Sequence, residues 1–483
     1  MIRTPALAAL ALTGALTAAV AGTTASTASG AAPSHRQTAA VGKGGPGHWT
    51  KVSTGGVQSI FMPSLVKSSD GVLHVVYPEN VPGGMQLGHT ALDSHGRILR
   101  QNDVLPTAWE NVDRRPVVLS TSTGLRIVFT GNQTPSGPTF WDHGLMYTAT
   151  GDQGGSSWAL PAESLGSNAA VPTYGTGAVM LADGTTPVGA YADGDVKLSW
   201  HIGVGNDPDA SYTTTSPGIF DTTLVRDGGE IWAGWYQNGS TAATNGTFAM
   251  RIYPTVGTPL KAPQSSGGAS SHTTGRVALA ARSGGGVFEA YCAGSALPCT
   301  SLRVWKVGSA KTSTIPQSKG ATRVALSPGP SGRLWVAWTS SAPQVKAVRT
   351  GATGLVMGAV RNAGLPPRAD LTYGLGVDGT RARGDLVVNV GNALWHTQVL
   401  PGLTLHASPR SWQHGGRQKV VFSVTDARAG VAGSKVRVGS KACTTGKGGT
   451  CTLTFPASFG KGKHAATAAR KGYAKAATRL TVK

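Results

Sequence analysis

Four arginines recur at one place in a repeated pattern, and guanidinium chemistry is the first clue to what this chain handles. Arg115, Arg276, Arg323 and Arg368 each open the first strand of one copy of the repeat. A guanidinium presents a planar fork of donors that matches carboxylate, sulfate and phosphate oxygens. If the four converge, their combined field favours an acidic ligand. If each instead pairs with a nearby acid, such as Asp113 or Asp370, they fix loops and recognise nothing. Tyr174, or a histidine, is the candidate base for removing a proton beside an arginine-neutralised carboxylate. The candidate ligand-binding set is therefore Arg115, Arg276, Arg323, Arg368, Asp113 and Tyr174. With five glutamates in the chain and no convincing carboxylate pair, binding is favoured over catalysis. His89, His201 and His396 occupy similar places in different copies, without the partner spacing a metal needs, and are read as packing residues. No metal or cofactor is expected.

The four cysteines fall in two close pairs, Cys292 with Cys299 and Cys443 with Cys451, each flanking a turn-rich loop. Two disulfides, each stapling a hairpin, are the preferred reading. A zinc site would require pairs from two different regions to converge.

These residues need a scaffold, and a repeat supplies it. An apolar strand, a glycine-containing turn and an alternating strand recur seven times, from "MPSLVKSSDGVLHVVYPEN" to "ADLTYGLGVDGTRARGDLVVNVGN". The turn glycines Gly71, Gly124, Gly184, Gly228, Gly285, Gly332 and Gly379 lie 53, 60, 44, 57, 47 and 47 residues apart. Such spacing fits four-stranded blades with variable loops, hence an all-β chain built as a propeller, with seven blades preferred to six. Each hairpin leads to a third strand, from "MQLGHTAL" to "ALWHTQVL", and six copies continue into a fourth. The seventh lacks one, while "HWTKVST" (residues 48–54) is spare, so it is expected to complete the last blade beside Leu394 to Val399. Trp232, Trp235, Trp335, Trp338, Tyr77 and Tyr191 alternate with small residues and are expected to fill the space between blades rather than to form a sugar platform.

The ends differ from this body. "MIRTPALAALALTGALTAAVAG" has the layout of a secretory signal peptide, a single basic residue before an apolar run with small residues at the cleavage site. An N-terminal anchor is the rival reading, and the run is too interrupted for it. Residues 1–30 are assigned to the signal peptide and start of the leader, 31–45 to the leader, 46–402 to the propeller and 403–483 to a small basic domain. That domain alternates strictly and resembles the immunoglobulin-like add-on domains of secreted polysaccharide-degrading enzymes, in which "GY" precedes the last strand as Gly472-Tyr473 does here. From residue 401 onward there are nine Lys and six Arg against Asp426 alone, so this region carries 15 − 1 = +14 of the formal net charge of +21. Such a block draws polyanions without specificity. The expected partner is an acidic polysaccharide or cell-wall polyanion, with no specific nucleic acid and no transmembrane segment. The chain is expected to be secreted and monomeric.

The opening stretch "SIFMPSLVKSSDGVLHVVYPEN" resembles the sialidase (neuraminidase) superfamily of Asp-box, or BNR-repeat, propellers through Pro63, Ser64, Leu65, Asp70, Gly71 and Leu73. "TGDQGGSSW" adds a near match to the Asp box in Thr150, Asp152 and Gly154, with Trp158 one residue late, and "TALDSHGRI" keeps Asp93. The resemblance covers most of residues 46–402 and implies an arginine triad, a tyrosine nucleophile activated by glutamate, and an acid/base aspartate. Phe61 stands where the first triad arginine belongs. "RADL" puts Arg368 where the tyrosine belongs, and Glu230 is the candidate activating glutamate, unless it is a solvated turn residue. The resemblance thus implies a sialidase-like propeller that binds acidic glycans without sialidase chemistry. The alternative is an enzyme, either an exo-α-sialidase type glycoside hydrolase or a lyase acting on acidic saccharides.

Overall fold

The computed structural model describes residues 44–483 apart from 59–60, 113, 134–142, 161–170, 173–175, 194–196, 204–208, 215–217, 240, 242, 266–276, 294–297 and 368–371. The proposed signal peptide and most of the leader lie outside these residues. Among the described residues no helix is long and apolar enough to cross a membrane.

The short alternating strands cannot bury their apolar sides alone, and they solve this by stacking as sheets. Among the described residues before 404, seven antiparallel sheets follow one another in chain order. Their first strands are Ser64–Lys67, Val117–Ser120, Gly177–Met180, Ile219–Asp227, Val277–Ala281, Ala321–Pro328 and Thr372–Asp378. Each first strand packs against the next, and the last returns to the first. This is a β-propeller, with first strands around the axis and later strands outward. All the turn glycines but Gly124 and Gly379 have positive φ, from 62° to 89°. At those two a side chain would strike the Gly151 carbonyl and the Trp335 ring.

The ring closes through the N-terminal segment. Thr50–Lys51 pairs antiparallel with the third strand of the seventh sheet, Thr50 opposite His396 and Lys51 opposite Trp395. The next residue, Val52, joins two sheets. Its N–H donates to Leu394 O at 2.8 Å. Its carbonyl accepts from Tyr77 Oη (3.1 Å), Thr90 Oγ1 (2.7 Å) and Gln101 Nε2 (2.8 Å), all in the first sheet. Beyond it, Thr54 and Gly55 donate to the buried carboxylate of Glu79. On the same seam Lys67 Nζ reaches Asp378 Oδ1 at 3.0 Å and Asp385 Oδ2 at 2.9 Å, all three nearly buried. Asp385 also accepts from His396 Nε2 and Gln398 Nε2. Burial would raise the Asp385 pKa, but hydrogen bonds and charge from His396 and Lys67 outweigh it and hold the carboxyl well below the usual carboxylate range.

A second joint recurs between sheets. Asp93 and Asp152 each fold the turn after a third strand by accepting backbone N–H groups, His95 and Arg97 in one case, Ser156 and Ser157 in the other. Three residues on, Gly96 and Gly155 take positive φ and lie directly against His396 and His89 of the preceding sheet. His89 and His396 thus pack against turn glycines of the following sheet, and His201, in a third sheet, is likewise buried and stacks on Tyr191. His89 continues a buried chain, His89 Nε2 to His74 Nδ1 at 2.9 Å and His74 Nε2 to Ser68 Oγ at 3.0 Å. Burial pushes His74 down to about 4 and His89 down to about 3, so both rings are neutral at pH 7.

The aromatics fill the spaces between sheets. Trp235, Trp335, Trp338, Tyr77 and Tyr191 are buried, and Trp232 is half-buried. Residues 404–482 form two further sheets around one core that includes Trp412, Phe422, Phe455 and Leu480. Both predicted disulfides are present. Cys292–Cys299 closes a loop whose Cys299 backbone then bonds Ala321 of the next sheet. Cys443–Cys451 differs from a hairpin staple: it joins an edge strand of one terminal sheet to an edge strand of the other.

Two outcomes follow from the seam. Lys67→Met strands two buried carboxylates and is expected to lower stability by about 3–5 kcal/mol, whereas an unchanged denaturation midpoint would show that the network is dispensable. A chain beginning at residue 56 loses the Val52 joint and exposes two sheet edges, so it is expected to melt several degrees lower and to aggregate. Stability should also fall with acid. For His74 and His89, whose folded values lie below the unfolded one of about 6.5, the loss begins as pH drops below that value. For Asp385 it begins below about 4. Melting temperatures that stay flat from pH 7 to about 3 would contradict both assignments.

Candidate functional site: the mouth of the axial cavity

Each sheet runs outward from its first strand. The starts of all first strands, together with the connections between second and third strands, therefore share one face. The glycine turns and the Asp93 and Asp152 turns share the other. On the axis, residues 62–65, 115–117, 176–178, 223–224, 278–279, 324–326 and 375–377 enclose a cavity of about 140 Å³. Most of its lining residues are apolar in type, but the surface they turn to the cavity is predominantly polar. Among the described residues Ser64, Thr176 and Thr223 bring neutral polar side chains and Arg115 a charged one.

Arg115 precedes the first strand of the second sheet, and its Nη1 donates to Asp221 Oδ1 of the fourth sheet at 2.9 Å. The Asp221 side chain is fully buried, and its Oδ2 accepts from Val277 N of the fifth sheet at 2.7 Å. One carboxylate thereby ties three sheets at the mouth. Asp221 adopts φ +61°, in the left-handed region where aspartate is better tolerated than most residues. It sits in a register shift between Phe220 and Thr223. Similar shifts occur between Ala321 and Arg323 and between Thr372 and Leu375. The first strands of the fourth, sixth and seventh sheets thus all bulge at the mouth, a device that re-aims side chains. At the second of these, Arg323 is half-buried and its Nη1 donates to Thr322 O at 2.8 Å.

Of the residues singled out in the sequence, Arg115 and Arg323 stand at this face in different sheets. Arg276, Arg368, Asp113 and Tyr174 lie outside the described residues. Asp221 was not anticipated. Its only sequence signal is an acid at the start of a first strand, in "IFDTTLV". Phe61 is 3% exposed and packs in the core of the first sheet. Glu230 opens the second strand of the fourth sheet, on the far face. There it accepts from Arg251 Nη1 at 2.8 Å and Trp232 Nε1 at 3.0 Å, a partly exposed turn residue. Among the described residues no cluster of three His, Cys, Asp or Glu could hold a metal ion.

One more acid stands apart. Glu289, in the second strand of the fifth sheet, is fully buried, and neither carboxylate oxygen has a hydrogen-bond partner among the described residues. Burial alone pushes its pKa well above the ordinary value, so the neutral acid is favoured. It faces Leu279 and the α-carbon of Gly234 between two sheets and does not line the cavity.

No protein-family model matches the chain, and no curated protein matches it in sequence. Among solved structures, an Aleuria aurantia lectin variant in complex with Fucα1-6GlcNAc is 13% identical, with a TM-score of 0.40, covering 65% of this chain and 100% of the lectin. A second structure of the Aleuria aurantia lectin, described as a six-bladed β-propeller, is 14% identical with a TM-score of 0.35, covering 65% of this chain and 82% of that one. The polysaccharide lyase Uly1 is 7% identical with a TM-score of 0.45, covering 72% of this chain and 92% of the lyase. At such identities and scores these likenesses carry no inference about the chemistry of this chain.

Proposed function

We propose that the chain is a secreted, sialidase-like propeller of seven blades with an immunoglobulin-like domain at its C-terminus, and that its mouth binds acidic glycans without sialidase chemistry. The observation that carries this reading is that Arg115 and Arg323, from different sheets, stand at one mouth of the axial cavity. Arg115 is balanced there by the buried Asp221, so the net positive field is supplied by the other arginines proposed for the mouth. A cation held in place before the ligand arrives loses little freedom on binding, and its fork suits a sugar carboxylate or sulfate. Arg323 belongs to the same face, and Arg276, Arg368, Asp113 and Tyr174 remain part of the proposed mouth. Phe61 supports the absence of sialidase catalysis, because a buried phenylalanine occupies the place of a substrate-holding arginine. Glu230 supports it too, since it lies on the face away from the mouth. Export is supported by the two disulfides, which persist in oxidising compartments.

Titration with acidic oligosaccharides against wild type and an Arg323→Ala, Arg368→Ala double variant tests the reading. The variant is expected to bind more weakly by roughly 1.5–3 kcal/mol for each arginine engaged. Equal affinities would show that the arginines serve structure alone. The same samples are assayed with a fluorogenic sialoside and for unsaturated products from acidic polysaccharides. The expected result is no turnover in either assay, and robust turnover in one would replace the binding reading with a glycosidase or a lyase.

A further inference from the structure

The charge of the C-terminal domain is sorted between its two sheets. Side chains alternate across a strand, and exposure follows that alternation in Lys435–Val438, Gly462–Ala469 and Ala476–Val482. The outward positions of this five-stranded sheet include Lys435, Arg437, Lys463 and Arg479, all exposed. Its remaining outward positions, among them Ala465, Thr467 and Ala477, are alanine, threonine or serine. The outer face of the opposite sheet carries Lys419 as its one Lys or Arg, among serines and threonines such as Ser423, Thr425 and Thr452.

Register places the four cations in a diagonal. Arg479 lies opposite Ala465, with Lys463 two residues away on that neighbouring strand. Thr467 pairs with both Ala477 and Arg437, and Lys435 follows Arg437 along its strand. At about 3.3 Å per residue and about 4.8 Å between strands, neighbouring cations in the stripe stand roughly 7–12 Å apart, and the stripe spans roughly 20 Å. No acid interrupts it. Asp426, the one acid after residue 401, is buried and held by Arg333 and Arg349 of the propeller, so the domain's own surface presents no carboxylate side chain. This contact lies at one end of the domain and leaves the striped face exposed.

We propose that this face docks a linear acidic polysaccharide, lying along the stripe with successive carboxylates against Lys463, Arg479, Arg437 and Lys435. Small side chains keep the face flat, so a stiff polymer can approach over its whole length. No aromatic on the face offers a stacking surface for bases or sugar rings, and no large apolar side chain offers an anchor for a lipid surface. Recognition is by charge and spacing, and it is salt-dependent. This site is separate from the mouth and stands whether or not the mouth binds a glycan.

Full-length protein is titrated with polygalacturonate at several salt concentrations, as wild type and two quadruple variants. One replaces Lys435, Arg437, Lys463 and Arg479 by Thr. The other removes four cations elsewhere, through Arg417→Thr, Lys419→Thr, Arg428→Asn and Lys447→Thr. Unchanged melting of both variants confirms folding, and single substitutions replace any quadruple that does not fold. The stripe variant is expected to bind roughly tenfold or more weakly at low salt and to show a shallower salt dependence, with the second variant close to wild type. Equal losses in the two variants would reduce the effect to net charge and overturn the site. Undiminished binding by the stripe variant, or binding that persists at about 1 M salt, would overturn it as well. Duplex DNA or anionic vesicles competing better than polygalacturonate at equal charge would overturn the assignment of the partner. The Arg323→Ala, Arg368→Ala variant is expected to retain polymer binding, so failure at the mouth and failure at the stripe read out separately.

Discussion

The Val52 peptide group is the point on which the ring depends. A sheet ring assembled from a linear chain has one seam that no hairpin closes, and its two free edges invite pairing with other chains. Among the described residues the regular ladder across this seam is Thr50 and Lys51, supplemented by an isolated bridge at Pro46–Gln398 and a Val57 N–H to Asn392 O bond, and so short a ladder is a weak clasp. Val52 strengthens it because its N–H serves the seventh sheet while three side chains of the first sheet converge on its carbonyl. Each bond is worth about 0.5–1.5 kcal/mol net, but the larger cost lies in leaving those buried groups unsatisfied. Removal of the segment leaves Tyr77, Thr90 and Gln101 without that acceptor in a dry interior. Lys67 adds a charged tie at the other end of the same seam. A buried ion network of this kind is weak evidence of net stabilisation, yet any one partner is costly to remove. The seam is therefore cooperative.

Asp426 uses the same physics between the propeller and the C-terminal domain. Arg333 and Arg349 both reach its Oδ2, and the Arg349 guanidinium lies 5.5 Å from the Tyr473 ring and 5.9 Å from that of Trp335. A guanidinium is weakly hydrated and stacks on aromatic faces, which suits it to such a junction better than lysine. The junction forms on the turn face of the sixth sheet, away from the mouth.

Local and periodic features of this fold were legible in the sequence. Turn glycines and the alternating strand after each mark the first hairpins, the segments following those hairpins give the third strands, and the spare segment at residues 48–54 points to the closure because the seventh copy lacks a fourth strand. The cysteine pairs were readable from spacing, although the sheets joined by Cys443 and Cys451 were not, since spacing along the chain carries no information on which sheet each strand enters. Partners far apart in sequence were equally hidden. Chain proximity offers Asp113 to Arg115 and Asp370 to Arg368, whereas the described carboxylate of Arg115 is Asp221, 106 residues away. The recurrence of His89 and His396 pointed to packing, but not to what they pack against. The answer, a turn glycine three residues after an aspartate of the following sheet, joins two motifs that look unrelated along the chain.

The same joint explains why the two faces of the ring are suited to different tasks. On the turn face, aspartates fold the turns, glycines approach histidine rings, and a side chain at Gly96 or Gly155 would collide with the neighbouring sheet. Little can be altered there without separating sheets. At the mouth the first strands begin with bulges, and the tie among three sheets is a carboxylate rather than a packed ring. A carboxylate tie holds a guanidinium beside a cavity, where an apolar contact of equal strength would fill the space. The scaffold thus places its tight packing on one face and leaves polar, charge-bearing groups at the other, and the acidic-ligand binding proposed for the mouth would draw on that division.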